Sequence, residues 1–375
     1  MIKEKINYLQ TEITNTTKLL IYKENPILLE KVNFDDDNVF LEPLLFTYFN
    51  CKNENDLPNE LLVEFMQGYF VKREEIISKY SFKKNDIVYI PQLGYLKNGE
   101  SVPFEQIQMV EHTNIEVLKY SVNLLQNIFK NTLGDLINED EIVINPVLFE
   151  KNISYLTNAL SFIKNNSYEH FQLIEQCCKK ILIFKTDTNN TNSFATIKAH
   201  GIAFLNVYQD DYDEVFFVDD IAHQTGHIIL TTLLYDRKAI FKIDEEQNVE
   251  DIIEKKDHRT IHILLHALYT YYTTFTCLDD CLTNNSFDYK QKKEAVGRIG
   301  FYLNKCTHDL DRFEKINAFF KGIENVLSSD GIEIYDLIRR KYLEVFQKWN
   351  STTNLFDYSN QTYNFAFKNF NKLNN

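Results

Sequence analysis

Two histidines four residues apart, in the run Ile221-Ala222-His223-Gln224-Thr225-Gly226-His227, are the residues of this chain best placed to do chemistry. On a helix, positions i and i+4 leave the same face one turn apart. Two imidazoles set that way suit a single metal ion. A pair of helix histidines making ordinary hydrogen bonds has the same spacing, so context has to decide. Gly226 lies inside the predicted helix at a cost of ~1 kcal/mol relative to alanine, in a chain with only 10 glycines. A missing side chain beside a ligand leaves room for a metal, a cosubstrate or a close strand, and the reading moves to a metal site.

A further ligand has to come from elsewhere in the fold. His258, His262 and His266 recur every four residues, but a helix drifts about 40° per four-residue step, so His258 and His266 diverge. His266 lies deepest in the apolar stretch, where a histidine needs a partner. It is the expected third ligand, with His262 as the substitute and a backbone hydrogen bond as the alternative role. His112, His170, His200 and His308 read as isolated surface or turn residues. Cys277 and Cys281 share a helix face and read as a core pair rather than half of a thiolate site.

Position 224 decides the reaction class. In zinc peptidases with a His-Glu-x-x-His helix, the glutamate takes a proton from metal-bound water. Gln224 cannot accept that proton near neutral pH, and loss of a positioned base costs ~10²–10⁴ in rate. Hydrolysis by the standard route is disfavoured. A hydrolase would need another base, such as Asp219, Asp220 or Glu214.

The stretch Gly201 to His227, followed by Arg259 to Tyr269, resembles the HExxH-motif family of iron- and 2-oxoglutarate-dependent peptide hydroxylases of ribosomal peptide natural-product biosynthesis. That family pattern has a strand before an acidic His-Glu-x-x-His helix, then a second helix of Arg-Pro-x-x-x-x-x-His-Gly/Ala-x-Tyr character. The matching residues are His223, His227, Arg259, His266, Ala267 and Tyr269, with Gln224 in place of the glutamate and Thr260 in place of the proline. The resemblance covers roughly a quarter of the chain. It implies Fe(II) held by His223, His227 and His266, with open positions for 2-oxoglutarate and dioxygen. It also implies Arg259 on the distal carboxylate of 2-oxoglutarate and Gln224 orienting a ligand or carboxylate. A precursor peptide is then expected to add to the strand near Phe204. Two other classes compete: a zinc metallopeptidase-like hydrolase, and a non-catalytic helical peptide-binding protein.

The elements that must position these residues are mainly helical. The expected class is α+β: mostly α with a small antiparallel β-sheet, the metal site lying between two helices and the HxxxH helix preceded by strands. Ile181-Leu182-Ile183-Phe184, Phe194 to Ile197 and Gly201 to Val207 read as two or three antiparallel strands, with Asn189-Asn190-Thr191-Asn192 as a hairpin loop. Phe216-Phe217-Val218 reads as leading into Asp219-Asp220 at a helix start, with the helix running to about Tyr235. Helical periods are also expected through Leu61 to Phe70, at about Ile115 to Phe129 and from about Pro146 to Ile163, and a short strand at Ile87 to Ile90. A helical amino-terminal region over 1–165, a metal-site region over 166–350 and an irregular tail over 351–375 would form one compact unit.

Composition sets the outer limits. With 375 residues, 44% of them hydrophobic, the chain has material for a large core. Ten glycines and six prolines favour long helices over an all-β fold. Forty basic against 54 acidic residues give −14, which repels a phosphate backbone, so no nucleic-acid partner is expected. No apolar run reaches the ~18 residues of a membrane span, and the first residues lack a secretory h-region. The six cysteines (51, 177, 178, 277, 281 and 306) read as reduced thiols of a cytoplasmic protein.

Overall fold

The structure, a computed structural model, describes residues 2–72, 87–97, 102–133, 142–253 and 255–374. The α+β class holds: helices dominate, with one two-stranded antiparallel sheet and one three-stranded parallel sheet. The chain divides into two compact units, Met1–Ser154 with Glu175–Tyr208, and Tyr155–Ile174 with Gln209–Asn375. The division therefore does not fall at residue 165. The small sheets belong to the first unit and the tail to the second.

In the first unit, α1 (Ile2–Glu24), α2 (Ile27–Lys31), α3 (Asp37–Phe40), α4 (Pro43–Asn55) and α5 (Asn59–Met66) precede the hairpin β1 (Ile87–Ile90) and β2 (Gly94–Lys97). Next come β3 (Glu116–Leu118) and α6 (Asn123–Leu133). The first part of the helix expected from Ile115 is thus a strand. Helices α7 (Pro146–Asn166) and α8 (Tyr168–Cys177), most of whose residues belong to the second unit, lead to β4 (Lys180–Phe184) and β5 (Ile202–Asn206) of the first. Both strands are buried at every position, and the sheet order is β3-β4-β5.

Strand β4 runs parallel to β5, with Lys180 opposite Ile202 and Phe184 opposite Asn206. This corrects the antiparallel expectation. Parallel neighbours need a crossover of about a dozen residues or more, and the chain from Lys185 to Gly201 supplies one; the Asn-rich turn sits within it. An uninterrupted apolar run is also the mark of a strand covered on both faces. Phe194 forms no strand of its own but exchanges two backbone hydrogen bonds with Phe204, each 2.9 Å. Ser193 Oγ accepts from the Asn206 amide at 2.8 Å. The β5 edge near Phe204 is therefore already paired by its own chain, which corrects the expectation that a peptide adds there.

The second unit holds α9 (Glu214–Leu233), α10 (Glu250–Ile253), α11 (Ile261–Thr283), α12 (Tyr289–Phe319), α13 (Ile323–Val326), α14 (Ser329–Thr353) and α15 (Phe367–Leu373). Helix α9 begins earlier than expected. Asp213, at the end of the acidic loop, is its N-cap and accepts from the Val215 amide at 3.0 Å. Phe216, Phe217 and Val218 are thus helical and buried, and Asp219 and Asp220 sit inside the helix. Thr260 caps α11 by accepting from Ile263 N, and Asp288 with Gln291 forms a capping box on α12. The tail is less irregular than expected: Phe365, Phe367 and Phe370 bury against Phe301 of α12, the last two from α15.

Candidate metal centre

Helices α9 and α11 pack along each other. They are antiparallel, because Ala222 meets Thr273 while His227 meets His266 further along. Gly226 sets how closely they approach. A methyl group at this position would run into the Thr273 hydroxyl, which donates to the Ala222 carbonyl at 2.8 Å and also lies 2.9 Å from the Thr270 carbonyl. The space that glycine leaves is filled by the neighbouring helix, not by a metal, a cosubstrate or a strand. Thr273 was not legible as important, since its partner is a backbone carbonyl about fifty residues away.

This register brings three of the expected histidines near one another. His223, His227 and His266 are each partly exposed on helices that are otherwise mostly buried there. The Nδ1 atoms of His227 and His266 stand 3.4 Å apart with the rings nearly parallel. Two nitrogens bound to one ion at about 2.1 Å lie roughly 3.0–3.4 Å apart at right or tetrahedral angles, and a shared proton also fits this gap. The His223 and His227 ring centroids are 5.3 Å apart. The Nδ1 of His223 is buried without a hydrogen-bond partner, and its ring stacks on Tyr302 of α12 at 5.8 Å. Among the described residues, no three His, Cys, Asp or Glu side chains already stand close enough to hold an ion. The His227–His266 pair is the convergent part, and His223 lies one helical turn along.

Burial pushes the His227 imidazole down to about 4. The His223 ring is held well below the usual histidine range by burial, then by His227 and the Lys305 charge. His266 is lowered by burial and by His227 and His262. Neutral imidazoles keep a lone pair available for a metal.

The other expected residues are placed differently. His262 is half-buried, its ring 4.6 Å from that of His266. His258 is exposed beside Glu250. His170 corrects its surface reading: it is 4% exposed, both ring nitrogens lack hydrogen-bond partners, and burial pushes it down to about 4. Position 170 lies on the inward face of α8, a face a short amphipathic segment leaves ambiguous in sequence. Tyr269 is fully buried. Cys277 and Cys281 are buried free thiols.

Gln224 is 4% exposed and folds back along α9, its amide donating to Asp220 Oδ1 at 3.0 Å. Arg259 is engaged by two aspartates. It donates to both oxygens of Asp257 at 2.9 and 2.7 Å and to both oxygens of Asp309 at 2.9 and 2.7 Å. Only one of its five N–H donors is left over from these four bonds. Tyr271 and Arg312 also donate to Asp309.

A second ion cluster lies beside His223. Arg298 of α12 donates to Asp219 Oδ2 at 2.7 Å and, through Nε and Nη2, to Glu294 Oε1 at 2.9 and 2.8 Å. All three are at most 3% exposed, and Tyr302 Oη donates to the same Asp219 oxygen at 3.3 Å. Burial, with the Asp213 charge adding to it, lifts the Glu294 carboxyl to about 7 despite Arg298.

Helix α12 was the part of the site that sequence reading missed. Its signal was a polar stripe at helical spacing, Glu294, Arg298, Tyr302, Lys305, Asp309 and Arg312, a pattern that ordinarily marks a solvated face. No helix among the described residues is long and apolar enough to cross a membrane. No protein-family model matches the chain, and no curated protein is significantly similar to it.

Proposed function

We propose that this chain is an Fe(II)- and 2-oxoglutarate-dependent oxygenase that hydroxylates a side chain of a ribosomally made precursor peptide. The observation that carries the reading is the facing pair of neutral imidazoles, His227 and His266, 3.4 Å apart at Nδ1, with His223 one helical turn from His227. Bound there, Fe(II) would supply the activation of dioxygen that oxidation of an unactivated C–H bond requires.

The chain's own residues have separate tasks. His227 and His266 present uncharged nitrogens, and burial keeps them from taking protons. Tyr302 holds the plane of the His223 ring. Thr273 fixes the register of α11 on α9 through the Ala222 carbonyl, and Gly226 allows the close approach. The buried free cysteines are in keeping with a reducing, cytoplasmic setting.

The carboxylates bear on the hydrolase alternative. Asp219 is bound by Arg298, and Asp220 accepts from Gln224. Glu214 accepts from Asn158 and Gln291. Each residue that would replace the missing glutamate as a base already has a partner, and Gln224 itself is buried and cannot take a proton. That favours an oxygenase, which needs no water-activating base.

Mass spectrometry of a candidate precursor peptide tests the reading. With iron, 2-oxoglutarate and oxygen, the expected product is heavier by ~16 Da, one inserted oxygen. The zinc-loaded protein is expected to leave the peptide intact, and so is Gln224→Glu, because a base without oxyanion donors does not make a peptidase. Peptide fragments with zinc alone would defeat the proposal.

A further inference from the structure

Two buried polar atoms on adjacent turns of α9, Asp219 Oδ1 and His223 Nδ1, have no hydrogen-bond partner. Buried polar groups are ordinarily paired, because an unpaired one keeps the full cost of leaving water. Positions 219 and 223 are i and i+4, so their side chains leave one face of the helix with Cβ atoms about 5–6 Å apart. Both side chains also meet Tyr302 of α12. The His223 ring stacks on the tyrosine ring, and the tyrosine hydroxyl donates to Asp219 Oδ2 at 3.3 Å.

The two oxygens of Asp219 are used differently. Oδ2 accepts from Arg298 at 2.7 Å and from Tyr302, which holds the carboxylate in place. Oδ1 is an acceptor without a donor, one turn before an imidazole nitrogen. His223 is part-exposed although its Nδ1 is buried, so the nitrogen that reaches the surface is Nε2. A neutral imidazole carries one ring proton, and the hydrogen bond made by one nitrogen decides where it sits. A carboxylate only accepts, so Oδ1 would keep the proton on Nδ1 and leave the lone pair on Nε2. Metal-binding histidines are oriented in this way by an outer carboxylate.

We propose that Asp219 is the positioning residue of His223: a small rotation of the imidazole brings Nδ1–H onto Oδ1, and Nε2 is left to face an ion. That the ion is iron rests on the oxygenase reading above. The hydrogen bond rests on the two unpaired atoms and their shared tyrosine.

Nitrogen-15 NMR of the metal-free full chain, labelled at histidine, reads the tautomer directly, and His223→Gln identifies the signal. Wild type is expected to carry the His223 proton on Nδ1. Asp219→Asn should reverse this. Arg298 and Tyr302 hold the amide oxygen in the place of Oδ2, so the amide NH2 faces Nδ1 and the ring proton moves to Nε2. Glu294→Gln disturbs the same ion cluster without touching Oδ1, and should keep the wild-type tautomer. The Arg298–Glu294 bonds remain available in Asp219→Asn, and near-ultraviolet circular dichroism checks its fold. Anaerobic competition with a chelator should show iron affinity roughly 10- to 100-fold weaker in Asp219→Asn. A wild-type ring protonated at Nε2 overturns the proposal whatever the variants do. So does a tautomer unmoved in Asp219→Asn, or an iron affinity equal to that of wild type. A wild type that binds no iron defeats the oxygenase reading, and the tautomer alone then decides for Asp219.

Discussion

His227→Ala and His266→Ala are each expected to remove bound metal almost completely, as elemental analysis of the purified variants will show. Loss of an outer partner of a metal ligand already costs ~10–100-fold in affinity, and loss of a ligand costs more. His223→Ala is expected to follow them, because its Nδ1 is buried without a hydrogen-bond partner one helical turn from His227. His258→Ala and His308→Ala should keep full metal, since both residues are exposed and outside the cluster. His262→Ala is the informative neighbour, its ring 4.6 Å from His266. Metal lost in His262→Ala and kept in His266→Ala would shift the ligand by one helical turn and contradict the assignment.

The largest stability effect is expected at Arg298. Arg298→Met leaves Asp219 and Glu294 buried without their cation. Breaking a buried pair in this way costs about 3–5 kcal/mol, roughly 6–20 °C in melting temperature for a unit of this size. Converting both carboxylates to amides in the same background should recover part of the loss, because the uncompensated charges are gone. The pH dependence has a definite sign. Glu294 titrates near 7 in the folded protein against about 4.3 in an unfolded chain. Between those values the folded state holds a proton that the unfolded state lacks, so the Glu294 contribution is most favourable below ~4.3 and is lost as pH rises towards 7. The deficit of Arg298→Met should accordingly shrink on the acid side of 7. Thermal unfolding at several pH values measures it, and a change below about 1 kcal/mol would mean the guanidinium is not the cluster's counter-charge.

The parts of this architecture that follow from local chemistry were legible in the sequence. The i, i+4 spacing of His223 and His227 needs only a helix, and the apolar setting of His266 pointed inward, where its ring meets His227. What failed depended on distant residues. The pairing of β4 with β5 is parallel because a crossover fits between Lys185 and Gly201, and an Asn-rich turn looks the same in a hairpin as in a crossover. The start of α9 was placed at Asp219 because two adjacent aspartates resemble a cap, whereas Asp213, with its side chain on Val215 N, does the capping. Arg259 looked available because its second aspartate, Asp309, is fifty residues away.

The most direct test of the central claim is X-ray absorption of the iron-loaded protein without oxygen. The account predicts three imidazole nitrogens at about 2.1 Å, one of them lost in His223→Ala, in His227→Ala or in His266→Ala under conditions that retain residual iron. An iron environment without imidazole scattering, or one unchanged in all three variants, would contradict a metal centre between α9 and α11.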